Sequence, residues 1–396
     1  MRHWNILGAA VLALALSSVA AGAQTVKIGI VNTYSGPAAE PGDLIQRGID
    51  LYMKEHEKDL PPGVKVELIK RDDTGPNPEV AKRLATELIT RDKVNFLAGF
   101  VYTPNAMAVG PLATEAKVPV VVMNAGTAAI TTTSPYIARV SFTMWQSSYP
   151  LGQWAAKNNI KKVYSAVSDY GPGIDAEAAF TKGFTDNGGQ MLGSVHMPFN
   201  TADFVPYMQK AKDTNPDAVY VFVPAGKQAI ALMKAFGEVG LKQAGVKLIG
   251  PGDITTDEGL DDMGDVALGT ITMFHYSAAG KRPANDAFVK AYKAAYGQKE
   301  EPAFEVVGGY DGMDAIYHAI IAQKGKLDPD KTMALLKEWK SDKSPRGPVS
   351  IDPETRDVVQ TEYLRRVEKV NGKLYNVEID SMPAVKDPWK IINNKK

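Results

Sequence analysis

The sequence predicts an α/β protein built as two doubly wound lobes. Three observations lead there. Short β-branched runs alternate with amphipathic stretches of 10–15 residues, the mark of βαβ units and a mainly parallel sheet. The alternation restarts after about residue 146. No Ser/Gly-rich tether separates the two series, so short crossovers join them.

The first series opens with a strand at 26–31, a helix at 45–56 and an alternating strand at 64–69. Asn77-Pro78-Glu79 begins the next helix: Asn caps, Pro suits the first helical position, and Glu favours the positive end. Val80, Leu84 and Leu88 then recur every four residues, so one face packs on a sheet. Strands at 96–99 and 118–123 bracket a helix at 104–116. In the second series a helix at 148–157 precedes strands at 163–168, 191–197, 218–223 and 246–249, with helices at 175–187, 205–214 and 227–239 between them. After a strand at 270–276, helices at 285–296, 306–324 and 331–340 return the chain to the first lobe. The tail alternates from Thr361 to Val367 and carries the hairpin signal Asn371-Gly372, so antiparallel strands cross back to the second lobe. The expected division is 24–143 with 277–346 for one lobe and 147–274 with 349–385 for the other. Crossovers then fall near 143–147, 274–278 and 345–350, and a cleft lies between the lobes.

The chain has 396 residues, 44% hydrophobic and 23% charged, enough for sizeable cores. Lys+Arg and Asp+Glu number 45 each, so the basic excess expected of a phosphate-neutralising or polybasic membrane-binding protein is missing. The absence of cysteine excludes disulfides, Cys-zinc sites, iron–sulfur clusters and thiol catalysis. The five histidines have no metal-ligand spacing. Residues 1–23 read as a secretory signal peptide: Arg2, an uncharged apolar run at 6–16, and Ala21-Gly22-Ala23 as an A-x-A site with cleavage after Ala23. No later stretch approaches a membrane span, so a periplasmic product is expected, with 44 basic against 45 acidic side chains.

Familiar catalytic motifs are missing: no GxGxxG after the first strand, no P-loop, no GxSxG elbow. Asp72-Asp73 and Asp261-Asp262 are adjacent pairs whose side chains diverge, which suits surface or turn-capping carboxylates better than a shared metal. The strand-end loops carry more. Asn32-Thr-Tyr-Ser-Gly-Pro37, Phe100-Val-Tyr-Thr-Pro-Asn105, Asn124-Ala-Gly-Thr127 and Asp169-Tyr-Gly-Pro-Gly173 all follow predicted strands, where open α/β sheets bind ligands. Thr103 and Thr127 offer hydroxyls beside outward-pointing N–H groups, a means of holding a carboxylate without lysine.

With these residues the chain resembles the periplasmic solute-binding proteins of branched-chain amino-acid-type ABC importers. The resemblance runs through Ile28-Gly-Ile-Val-Asn-Thr-Tyr-Ser-Gly36, Gly99 with its hydroxyl loop, Val118-Pro119 leading to Ala125-Gly-Thr127, Asp169-Tyr170-Gly171 and Gly309-Tyr310-Asp311, in order along the mature chain. It implies the type I periplasmic binding fold: two Rossmann-like lobes joined by three crossovers, closing on a small ligand that passes to a membrane permease. It implies that Thr103, Ala125 and Thr127 hold the ligand carboxylate and that Tyr170 lies against the ligand. The acid that takes an amino-acid ammonium in that family falls at Gly252, with Asp253 one residue on.

Tyr34, Tyr102, Trp145, Tyr170, Phe222 and Tyr276 make the expected cleft aromatic. Together with the carboxylate clamp they suggest a benzoate- or hydroxycinnamate-like acid. The alternative is a branched-chain or aromatic amino acid neutralised by Asp253; a second is a ligand-sensing regulator of the same fold. No enzyme chemistry, cofactor or metal is expected, and the protein is expected to be a monomer. Under the aromatic-acid reading Asp253 points to solvent or caps a turn.

Overall fold

A computed structural model of the chain describes residues 24–36 and 39–393; the leader and its cleavage site after Ala23 lie outside them. In order, the elements are β1 (Gln24–Asn32), α1 (Glu40–His56), β2 (Val64–Asp72), α2 (Pro78–Thr90), β3 (Phe96–Gly99), α3 (Thr103–Ala108), α4 (Gly110–Ala116), β4 (Val120–Val122) and β5 (Ile137–Arg139). The second series is α5 (Met144–Lys157), β6 (Lys162–Ser168), α6 (Gly171–Thr185), β7 (Gln190–Met197), α7 (Val205–Asp213), β8 (Ala218–Phe222), α8 (Lys227–Glu238), β9 (Lys247–Pro251), α9 (Leu260–Met263) and β10 (Ile271–Phe274). Then come α10 (Pro283–Tyr296), α11 (Phe304–Ala322), α12 (Pro329–Glu338), β11 (Lys340–Ser341), β12 (Val349–Ile351), β13 (Val358–Val370), β14 (Lys373–Val385) and α13 (Pro388–Asn393).

One sheet runs β2-β1-β3-β4-β5, all parallel. The other repeats that order as β7-β6-β8-β9-β10 and continues with antiparallel β13, which carries β14 and β12. The restart read from the sequence is therefore a repeat of topology. In each sheet the winding reverses between the first and third strands of its series, β1 and β3 in one and β6 and β8 in the other. The loops after those strands flank a switch-point crevice. Asn371 and Gly372, both at positive φ, make the two-residue turn joining β13 to β14.

Several boundaries differ from expectation, each for a local reason. The helix expected at 104–116 is two, because Pro111 has no N–H to give the Met107 carbonyl. The helix expected from 148 starts at Met144. Thr143 Oγ1 accepts from the Gln146 N–H and Gln146 Oε1 accepts from the Thr143 N–H, a capping box with glutamine at its third position. The segment expected to cross near 345–350 touches both halves: β12 pairs with β13 of the second sheet. Val349, Ile351 and Val358 pack in the core of the first sheet with Leu336 and Trp339, and β13 reaches β10 only at Tyr363. Asp73 is fully buried rather than at the surface: its carboxylate accepts from Thr33 Oγ1 at 2.5 Å, Asn105 Nδ2 at 2.7 Å and the Gly75 N–H at 3.2 Å.

Arg346 ties the connections together. Its guanidinium pairs with Asp311 of α11 at 2.6 Å and donates to the Val140 and Ser141 carbonyls, at 2.6 and 2.7 Å, and to Gln360 Oε1 at 2.6 Å. Tyr363 donates to the Arg346 carbonyl at 2.8 Å. Asp311, singled out in the sequence within Gly309-Tyr310-Asp311, is thus the buried counter-charge of Arg346.

Candidate functional site

The two halves meet where their strand-end loops face each other. Thr103, first residue of α3, donates its hydroxyl to Thr127 Oγ1 at 3.0 Å. Gly171, first residue of α6, stands directly against them: a Cβ there would lie 2.8 Å from Thr127 Oγ1 and 3.3 Å from Thr103 Cγ2. The N-terminus of the 15-residue α6 therefore points at two hydroxyls from the opposite half. Unpaired N–H groups and the helix dipole make that end attractive to an anion. Asp175, one turn into α6, accepts the Ala128 N–H at 2.7 Å and fastens the halves beside the hydroxyl pair.

The 125–127 loop is held from behind. Arg139 donates Nη1 to the Ala125 and Thr127 carbonyls at 3.1 and 2.7 Å while pairing with Asp357 at 2.6 Å. Burial pulls its guanidinium down to about 10. Nothing in the sequence flagged Arg139, because its partner lies 218 residues away.

Beside the hydroxyls is an aromatic group. Tyr170 stacks on Phe222 at 6.0 Å and meets Phe199 edge-on at 4.9 Å; Tyr102 meets Phe199 at 5.8 Å. Burial raises the Tyr170 and Tyr102 hydroxyls well above the usual tyrosine range, so both stay neutral. Phe142, Phe274 and Phe304 meet edge-to-face at 4.8–5.5 Å, with Phe142 under Gly126 and Phe274 against Gly252. Outside, a groove of about 640 Å³ between Thr74–Pro76 and Phe199–Ala202 leads to Phe199.

Of the expected site residues, Tyr102, Thr103, Ala125, Thr127, Tyr170 and Phe222 converge on this region. Tyr34 donates its hydroxyl to Gln46 Oε1 of α1 at 2.7 Å and its N–H to Asp72 Oδ1 at 2.9 Å. Trp145 and Tyr276 do not join the group. Trp145 packs with Ala128, Ala179 and Trp389 of α13, and Tyr276 lies edge-on to Phe288. Phe199 was missed. It lies in an aperiodic turn after β7, with no pattern to mark it.

Position 252 has no room for a side chain. A Cβ there would lie 2.3 Å from Phe274 and 2.4 Å from Arg365 Nη2, so a guanidinium occupies the place of an acid. Arg365 donates to Thr272 Oγ1 at 3.1 Å and to the Tyr276 and Gly252 carbonyls. Asp253 neither faces solvent nor caps a turn: it is 6% exposed, and Oδ2 has no hydrogen-bond partner among the described residues. Burial, opposed by the Arg365 charge, pushes its carboxyl up to about 7.

The structure makes Gly171 testable. Gly171→Ala should leave each half folded but wedge the halves apart, weakening ligand binding by about ten- to a hundredfold. Calorimetry beside an unchanged circular dichroism spectrum checks it; parent-like affinity would show that this contact does not govern closure.

Known proteins share the sequence pattern and the fold. The profile of a family described as periplasmic binding protein matches residues 25–373. The chain is 45% identical over 385 residues to the Leu/Ile/Val-binding protein homolog 6 of Brucella melitensis, covering 96% of this chain and 98% of that one. A solute-binding protein of an ABC transporter from Rhodopseudomonas palustris BisB5, in complex with 3,4-dihydroxybenzoic acid, is 50% identical with a TM-score of 0.89, covering 92% of this chain and 99% of that one. Another from R. palustris, in complex with 4-hydroxybenzoate, is 45% identical with a TM-score of 0.90, covering 93% and 100%.

Proposed function

The chain belongs to the periplasmic binding protein family, and from that premise we propose that it is the solute-binding component of an ABC importer. In this reading it closes on a small aromatic carboxylate and delivers it to a membrane permease. The observation that carries the reading is the junction of the Thr103–Thr127 hydroxyl pair with the α6 N-terminus, beside Tyr102, Tyr170, Phe199 and Phe222. Hydroxyls and a helix end suit a carboxylate; neutral stacked rings suit a flat apolar body. The aromatic-acid complexes of the R. palustris neighbours support the same ligand class. The protein binds its ligand without transforming it, as a monomer exported to the periplasm after cleavage at Ala23.

Two lobes, one on each sheet, open and close about the connections gathered by Arg346. Hinge closure is the expected motion of this architecture. Small-angle scattering should show compaction at saturating 4-hydroxybenzoate; identical curves with and without ligand would refute hinge closure.

The likeness to Leu/Ile/Val-binding homologs favours a second reading, an amino-acid ligand. Against it, Arg365 and Phe274 fill the space beside Gly252, where the family's ammonium-binding acid would project.

The clamp is tested by Thr103→Ala and Thr127→Ala. Each should weaken benzoate binding about ten- to a hundredfold, the loss of a hydrogen bond to a charged group, ~1.5–3 kcal/mol. Unchanged affinity in both variants would place the carboxylate elsewhere.

A further inference from the structure

We propose that the carboxyl groups of Asp253 and Glu305 together form a subsite that reads a ring hydroxyl, so that the protein selects phenolic acids over bare benzoate. The inference rests on the aromatic-acid reading and narrows it.

The two acids come from opposite halves. Asp253 lies in the helical turn Gly252–Thr255 after β9; Glu305 is the second residue of α11, which packs on α1. They are 6% and 1% exposed, and Asp253 Oδ2 and Glu305 Oε2 each lack a hydrogen-bond partner among the described residues. Buried polar oxygens left so are costly, ~1–3 kcal/mol each, and at an inter-lobe contact they point to a ligand group. Both adjoin the phenylalanine group already described: Asp253 follows Gly252, which abuts Phe274, and Glu305 follows Phe304, which meets Phe274 edge-on at 4.8 Å. Tyr170 directly precedes Gly171 and Tyr102 directly precedes Thr103, so the rings join the loops of the carboxylate clamp.

The chemistry of the missing partner follows. Burial and then the charge of Glu258, with Asp253 adding to it, raise the Glu305 carboxyl well above its usual range; burial does the same to Asp253. A protonated carboxyl both donates and accepts. A phenolic hydroxyl also does both, so it can donate to one carboxyl and accept from the other. Benzoate leaves both oxygens unpaired, and a site built for a hydroxyl discriminates strongly against the analogue lacking it.

The experiment is calorimetry on the full mature chain at pH 6.5 with benzoate, 3- and 4-hydroxybenzoate, 3,4-dihydroxybenzoate and phenylalanine. At least one hydroxybenzoate should bind about tenfold or more tighter than benzoate. In Asp253→Ala and Glu305→Ala that ratio should fall toward one. Equal affinities across the benzoates would overturn the subsite while leaving the aromatic-acid reading intact. No binding of any benzoate would overturn that reading itself. Phenylalanine binding more tightly than every benzoate, and abolished in both variants, would show a cation site instead. If a variant fails to fold, the ligand series on the parent decides alone.

Discussion

Arg346→Met should lower the stability of the protein by ~3–5 kcal/mol, the cost of stripping one partner from a buried ion pair. Arg346 and Asp311 are each 1% exposed, and Asp311 would keep only the Ser344 hydroxyl, at 2.8 Å. The loss is compounded because Val140, Ser141 and Gln360 lose their shared donor at once. Adding Asp311→Asn should recover part of the stability, since the uncompensated charge is then gone. Denaturant unfolding followed by circular dichroism checks both; an Arg346→Met variant within ~1 kcal/mol of the parent would show that Arg346 does not hold the connections together.

The second large effect is on pH. Desolvation first of all raises the Asp253 and Glu258 carboxyls to about 7. Around Asp253 stand Arg365, which opposes the shift, and Glu305, Tyr170 and Tyr220, whose own ionisation the Asp253 charge disfavours. An opening that returned the acids to water would restore their ordinary values. The closed-state pKa is the raised one, so closure loses ground as pH rises from the ordinary carboxyl range, about 4, toward about 7, and changes no further once both states are ionised. Benzoate, whose own charge is constant over the upper part of this range, should therefore bind up to about tenfold more weakly per pH unit between about 5 and 7 for each such group, and level off above 7. Asp253→Asn should flatten the slope. An affinity constant from about pH 5 to about pH 8 would mean that the acids stay solvated when the ligand binds.

How much was legible in the sequence depended on the range of the interaction involved. The order of strands and helices was readable because alternation and capping are local, as Asn77 shows by accepting the Val80 N–H. Thr103, Thr127 and Tyr170 were readable because they follow strands directly, and strand ends in a doubly wound sheet converge. Trp145 packs with Ala128, Ala179 and Trp389 and Tyr276 lies edge-on to Phe288, contacts that no local pattern announces. Under the aromatic-acid reading Asp253 was expected to point to solvent or cap a turn, because nothing local announces that the chain buries it. Position 252 became interpretable only with Arg365 in view, 113 residues away. The short strands β5 and β11 and the terminal α13 were missed: with two, three or six residues they carry no periodic signal.

The central claim is that the cleft takes an aromatic carboxylate and not an amino acid. Calorimetric titration of the purified mature chain at pH 6.5 with 4-hydroxybenzoate, and separately with leucine and with phenylalanine, tests it most directly. The account predicts a single saturable site for 4-hydroxybenzoate and amino-acid affinities at least about a hundredfold weaker, a gap of ~2.7 kcal/mol or more. Leucine or phenylalanine binding as tightly as 4-hydroxybenzoate, or tighter, would contradict it.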